Sequence, residues 1–221
     1  YIPAALARVL MRARRYDEAG DRARLAVALA ERHDARARCT AFETATRVAL
    51  ALDDRDQAET YGAATELEDP GLPMARFVRG RLLLADGMYE EALAAFEEAV
   101  AVLTQHGRAL EELHWYLGDT LRRLDQYPEA EAQFREELQA FPRSIPAYTS
   151  LATLYHASNR ASGVEETLDA LVDTAPTPEG YDAAARLWTI VGEPVRAEAL
   201  RADARVRFNG DPSLELFQPQ R

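Results

Sequence analysis

Apolar residues recur along this chain at i, i+3, i+4 and i+7, as in Leu93, Phe96, Ala99 and Val100. That is the period of a helix and not the alternation of a strand. The periodic stretches come in pairs. Gly87 and Gly192 fall between paired stretches, where a left-handed residue closes a helix, and Pro128 and Pro194 suit the first turn of the stretch that follows. Pro70, Pro142 and Pro176 stand where second stretches end, because proline cannot extend an existing helix. The pattern predicts an all-α protein of helix-turn-helix units.

The units repeat. Gly80, Tyr89, Ala92 and Phe96 return as Gly118, Tyr127, Ala130 and Phe134 at the same intervals. The small residue opening each second helix falls at Ala19, Ala58, Ala92, Ala130, Val164 and Ala197, spaced by 39, 34, 38, 34 and 33 residues. Such a unit cannot bury its apolar face alone and stacks on its copies. Two intervals carry extra residues, at Asp34 to Arg38 and around Gln105 to Ala109. The excess is about one helical turn, so it is expected to lengthen a helix end and leave stacking intact. The expected repeats are residues 1–34, 39–72, 73–110, 111–144, 145–177 and 178–208, followed by a polar tail over 209–221.

This pattern resembles the tetratricopeptide repeat, which reads W-x2-L-G-x2-Y, then A-x3-F, then P. The copy from Ile145 supplies Tyr148, Leu151, Ala152, Tyr155 and Pro176, and the copy before it supplies Leu117, Gly118, Ala130, Phe134 and Pro142. Departures fall in the first, second and sixth copies, where Ala7 and Thr46 replace the glycine and Arg201 stands where an aromatic is expected. The resemblance covers nearly the whole sequence and implies a right-handed superhelical solenoid of about six repeats. It also implies that first helices line a concave groove while second helices face outward.

The 221 residues are 48% apolar and 29% charged, a globular composition. No stretch approaches the length of a membrane span and no leader opens the sequence. Tyr1 falls within a repeat, which we read as a fragment or a processed form. Cys39 is the sole cysteine, so no internal disulfide forms, and it is expected to pack as a small apolar residue. That slightly favours the cytoplasm, although a periplasmic repeat protein needs no disulfide either. All 26 basic residues are Arg, which reads as GC-rich bacterial coding.

A net charge of −11 argues against nonspecific nucleic-acid binding and against an anionic membrane face. The charge is unevenly shared. Second helices are acidic, as in Glu90, Glu91, Glu97 and Glu98, whereas first helices carry Arg8 and Arg12, or Arg76, Arg79 and Arg81. The groove is therefore expected to be less negative than the body.

Signals for catalysis are missing. His33, His106, His114 and His156 lie in different repeats without metal-ligand spacing, and no nucleophile elbow, dinucleotide loop or phosphate loop occurs. We expect no metal, no cofactor and no catalytic residue in this segment.

The groove carries what signal remains. Its ninth position reads Arg8, Arg47, Arg81, Asp119, Thr153 and Arg186, with Arg12, Arg122 and His156 grouped beside them. Guanidinium groups receive carboxylates well, so the expected guest is an acidic peptide or the C-terminus of another protein. Ordinary pairing competes with that role. Glu43 and Arg47, and Asp182 and Arg186, stand at i, i+4, and Arg81 has Asp119 one repeat on; only Arg8 and Arg12 lack an acidic neighbour. The family's carboxylate clamp uses Lys and Asn, which this sequence lacks at those positions.

Phe96, Phe134, Tyr155 and Trp188 match core slots, while Phe77 and Trp115 either face the groove or pack between first helices. The function expected is a non-catalytic protein interaction scaffold. Its rival is the C-terminal repeat region of a larger enzyme, such as a sulfatase-like hydrolase, serving assembly or substrate presentation. Self-association through exposed repeat ends is a third expectation.

Overall fold

The computed structural model describes residues 2–208. The tail over 209–221 lies outside them. Twelve α-helices and no strand occur among the described residues: α1 Ile2–Arg12, α2 Tyr16–Ala30, α3 Ala35–Ala51, α4 Arg55–Glu68, α5 Met74–Ala85, α6 Tyr89–His106, α7 Leu113–Arg123, α8 Tyr127–Ala140, α9 Ile145–Ala157, α10 Ala161–Thr174, α11 Pro178–Ile190 and α12 Pro194–Arg207. The fold is an all-α helical repeat solenoid. Two units divide the chain after Thr120, inside α7.

Every turn within a helix pair is closed the same way. Arg14, Asp53, Gly87, Asp125, Asn159 and Gly192 all adopt the left-handed conformation. The amide after each reaches back five residues, as from Met88 to the Leu83 carbonyl and from Glu193 to the Trp188 carbonyl, satisfying a carbonyl left open at the helix end. Glycine marks two of these turns. Asp and Asn tolerate the conformation at three more, and Arg14 adopts it without that advantage.

In the first unit the extra residues lengthen helices, as expected. α6 runs 18 residues to a left-handed Gly107. α3 runs 17 residues and starts at Ala35, ahead of the boundary expected at residue 39. The cause is Asp34, whose side chain accepts the Ala37 amide at 2.8 Å and caps the helix.

The cores sit between paired helices and between consecutive pairs. At the first stacking contact Ala7, Leu10, Ala19 and Ala23 meet Ala45 and Val48. In α5/α6 the ring of Phe96 lies so close to Gly80 that a Cβ there would stand 2.5 Å from Cε1. The second unit has a related contact, where a Cβ on Gly163 would lie 2.7 Å from the Tyr155 ring. Cys39 is half-buried. Burial pushes its thiol up to about 11, so near neutral pH it stays a protonated thiol and a weak nucleophile.

Candidate functional site

A cleft of about 380 Å³ opens in the first unit, lined by Arg8, Met11, Arg12, Tyr16, Arg47, Ala51, Arg81, Glu111, Glu112 and Tyr116. Its basic side chains come from three first helices. The Ala4, Ala7 and Leu10 positions of α1 are buried, which turns Arg8 and Arg12, one turn apart, to the other side of the helix. Arg47 projects from α3 and Arg81 from α5.

The four guanidinium groups differ in how they are held. Arg47 donates to Glu43 Oε1 and Glu112 Oε2, both at 3.3 Å, and to the Glu111 carbonyl at 3.4 Å. Arg81 lies over the Tyr116 ring with Cζ 4.1 Å from the centroid, an arrangement that favours a cation on the ring face. Arg8 and Arg12 are exposed and form no ion pair among the described residues. Burial raises the Glu112 carboxyl above its ordinary range, opposed by Arg47 and Arg81. It also raises the Tyr116 hydroxyl, which therefore stays protonated. Four guanidinium groups against Glu111, Glu112 and the Glu43 that holds Arg47 leave an excess of positive charge at this cleft on a protein of net charge −11.

The other expected groove residues have separate surroundings. Phe77 is a correction: it is fully buried, packed edge-on to Tyr116 at 5.7 Å and against Phe96 at 6.3 Å. It cannot touch a ligand. Trp115 is half-buried beside Tyr116, ring centroids 4.4 Å apart, and neither it nor Asp119 lines the cleft. Arg122, His156 and Arg186 fall in the second unit. There Arg186 is taken by Asp182 at 2.7 Å, and His156 is exposed at the end of α9.

Met11, Tyr16, Ala51, Glu111, Glu112 and Tyr116 complete the cleft, and sequence reasoning does not single them out. The two glutamates follow the extra turn of α6, and Glu112 has a left-handed backbone. The long interval around Gln105 is the one signal the sequence offers for them.

The second unit holds a larger cleft of about 580 Å³, lined by Tyr127, Pro128, Leu154 and Ala157 with Glu131 and Arg160 at its edge. Its charges are satisfied. Glu131 receives Arg160 at 2.6 Å, Arg135 at 2.7 Å and the Tyr155 hydroxyl at 3.0 Å.

Residues 121–187 match a tetratricopeptide repeat family model. Two curated relatives, both named Protein O-mannosyl-transferase TMTC2, match part of the chain. The human protein is 31% identical over 98 residues, 44% of this chain and 12% of its own length. The mouse protein is 34% identical over 83 residues, 38% of this chain and 10% of its own. The chain therefore matches only about a tenth of the length of these relatives.

Solved structures share the fold across nearly all of the chain. PilW, a type IV pilus biogenesis factor, gives a TM-score of 0.58 at 17% identity, covering 98% of this chain and 96% of its own. A Rap protein complexed with Competence and Sporulation Factor gives 0.66 at 17% identity, covering 98% and 70%. A thermophilic tetratricopeptide repeat protein of Thermus thermophilus gives 0.53 at 19% identity, covering 97% and 94%. Helix pairs at this period, a left-handed closure in each, the direct match over 121–187 and these structural likenesses agree: the chain carries tetratricopeptide repeat sequence over 121–187 and shares the helical repeat solenoid fold over nearly all of its length.

Proposed function

We propose that this chain is a protein interaction scaffold whose first-unit cleft binds an extended acidic segment of a partner protein. One observation carries this reading: Arg8 and Arg12 stand exposed and, among the described residues, without ion pairs, next to a guanidinium already stacked on Tyr116. Charge in this position attracts carboxylates, and the Arg81–Tyr116 shelf offers a flat apolar contact beside them. The Rap protein, whose structure is titled as a complex with Competence and Sporulation Factor, is one example of this fold holding a partner.

Binding of a fluorescein-labelled acidic peptide, Asp and Glu alternating with Leu, tests the reading by anisotropy. Arg8→Ala with Arg12→Ala should weaken binding about tenfold or more, equivalent to about 1.4 kcal/mol, and added salt should weaken the wild type. Glu97→Ala, on a second helix, should leave affinity unchanged. Equal affinities for the wild type and the folded double variant would move the site off this cleft.

A second reading has one observation in its favour. The matched segment is a small part of proteins named as transferases, and on that basis these repeats form a region of a larger enzyme that serves assembly or substrate presentation. In that case the cleft variants would lower processing of a protein substrate by the full-length enzyme and spare its turnover of a small acceptor.

A further inference from the structure

Arg47 comes from α3, which packs against both α1 and α5, and its place in the arginine cleft is already taken. It donates to Glu43 Oε1 and Glu112 Oε2 at 3.3 Å and to the Glu111 carbonyl at 3.4 Å. Three acceptors share one guanidinium, and none comes close. Ion pairs elsewhere in the first unit are tighter: Arg38 holds Glu68 at 2.7 Å, Arg55 holds Asp86 at 2.7 Å and Arg108 holds Asp69 at 2.6 Å. Those distances are the ones expected of a charge-assisted hydrogen bond. Arg47 therefore keeps a bonding capacity that its present partners use poorly.

Glu112 reaches Arg47 by an irregular route. The link from α6 to α7 runs over residues 107–112, six residues where the other links between pairs have three to five. Glu112 has φ 72°. Arg14, Asp53, Asp125 and Asn159, the other non-glycine residues with positive φ among the described residues, each close a turn within a helix pair; Glu112 instead precedes α7. A left-handed backbone is disfavoured for a residue with a Cβ, and Glu lacks the short polar side chain that lets Asp and Asn tolerate it. Strained backbone of this kind collects where segments switch or hold ligands. Burial also raises the Glu112 carboxyl above its ordinary range, so its charge is held in the cleft at a cost that release into water removes. A loose ion pair, a strained backbone and a partly desolvated charge meet at one residue, and each favours its leaving Arg47.

We propose that Glu112 stands in for a ligand carboxylate: Arg47 is a third anion seat of the cleft beside Arg8 and Arg12, and an acidic segment takes it by displacing Glu112. This rests on the reading of the cleft as an acidic-ligand site and adds a built-in competitor to it. Affinity is set by the exchange of one carboxylate for another at Arg47, and a ligand that reaches only Arg8 and Arg12 does not meet that competition.

Anisotropy with the fluorescein-labelled peptide in which Asp and Glu alternate with Leu tests it on the whole protein. Glu112→Gln keeps the shape, removes the competing charge and should tighten binding about threefold or more. Glu111→Gln removes a charge from the same cleft, but Glu111 contacts Arg47 through its backbone carbonyl, so the gain should be smaller. Arg47→Ala should weaken binding, and in that background Glu112→Gln should lose its gain, a coupling that a double-mutant cycle reads. If Glu112→Gln lost its helical circular dichroism, Glu112→Gly, which suits the left-handed backbone, would carry the same expectation. An affinity of folded Glu112→Gln equal to or weaker than that of the wild type would make Glu112 a support for Arg47 and overturn the competition, as would equal gains from the two glutamine variants. The acidic-ligand reading is judged separately, by the loss on Arg8→Ala with Arg12→Ala. It stands if that loss appears without the gain at Glu112, and it falls together with the competitor if neither appears.

Discussion

The first and third helix pairs fill one packing slot with opposite residues. In α5/α6 the first helix gives up its side chain at Gly80 and the second fills the space with Phe96, which also stacks on Tyr116 at 6.1 Å. In α1/α2 the same positions are Ala7 and Ala23, both buried in a cluster made mostly of alanine. The turns differ in the same sense: Gly87 closes the third pair at φ 78°, and Arg14 closes the first at φ 55°. The family pattern is strict where a ring must be seated and loose where two small residues suffice. A small slot removes less apolar area from water, at about 25 cal/mol per Å², so the first pair leans more on what stacks against it.

Truncating the slot gives the largest expected effect. Phe96→Ala should cost about 3 to 5 kcal/mol, whereas Ala23→Gly should cost about 1 kcal/mol. Similar losses in chemical denaturation would mean that the two slots carry equal weight. Filling the glycine comes next. Gly80→Ala forces the Phe96 ring aside and should cost about 1 to 3 kcal/mol, yet in a Phe96→Leu background most of that cost should vanish. A double-mutant cycle reads this coupling directly, and additive losses would show that the ring and the glycine do not share the space.

The turn substitution is smaller and of opposite sign. Arg14→Gly relieves a left-handed backbone at a residue with a Cβ, a conformation disfavoured by about 1 kcal/mol or more. The melting temperature should rise, while Gly87→Ala should lower it. A fall on Arg14→Gly would show that the arginine compensates for its backbone.

Helices and repeat register are legible in the sequence because both rest on periodicity, which Gly80 with Phe96 and Gly118 with Phe134 display. Four of the left-handed closures are not legible, since Arg14, Asp53, Asp125 and Asn159 carry no unique turn signature. Register groups Arg8, Arg47, Arg81, Asp119, Thr153 and Arg186, of which only the first three line the first-unit cleft, together with Arg12. Phe77 has two fates open to it in the sequence and takes the buried one, because Tyr116 supplies the ring that covers it. Glu111 and Glu112 are hidden for a different reason. They belong to no repeat position, and only the three-dimensional course of the loop brings them to Arg47.

The smallest expected effect is the response to acid, and it separates the same two regions. Ion pairs in α1/α2 are local, Arg15 with Glu18 and Arg24 with Asp21. Further along the first unit they join segments: Arg38 holds Glu68 at 2.7 Å, Arg108 holds Asp69 at 2.6 Å and Arg55 holds Asp86 at 2.7 Å. Hydrogen bonds from these guanidinium groups hold all three carboxyls below their ordinary range. A carboxyl depressed in the folded state binds its proton more weakly there than when unfolded. Its contribution is therefore present above about pH 4 and is lost as pH falls through the folded value. Glu112 acts in the opposite direction, since burial raises it and protonation favours the fold, so a whole-protein acid curve would mix the two signs. Comparing the wild type with Asp69→Asn isolates one pair. The variant should melt lower at neutral pH, within the roughly 1 kcal/mol typical of exposed pairs, and the gap should close as pH falls through the lowered value of the Asp69 carboxyl. A gap that stays the same as pH falls would assign the loss to packing around Asp69, leaving the fold held by its apolar slots at either end of the comparison.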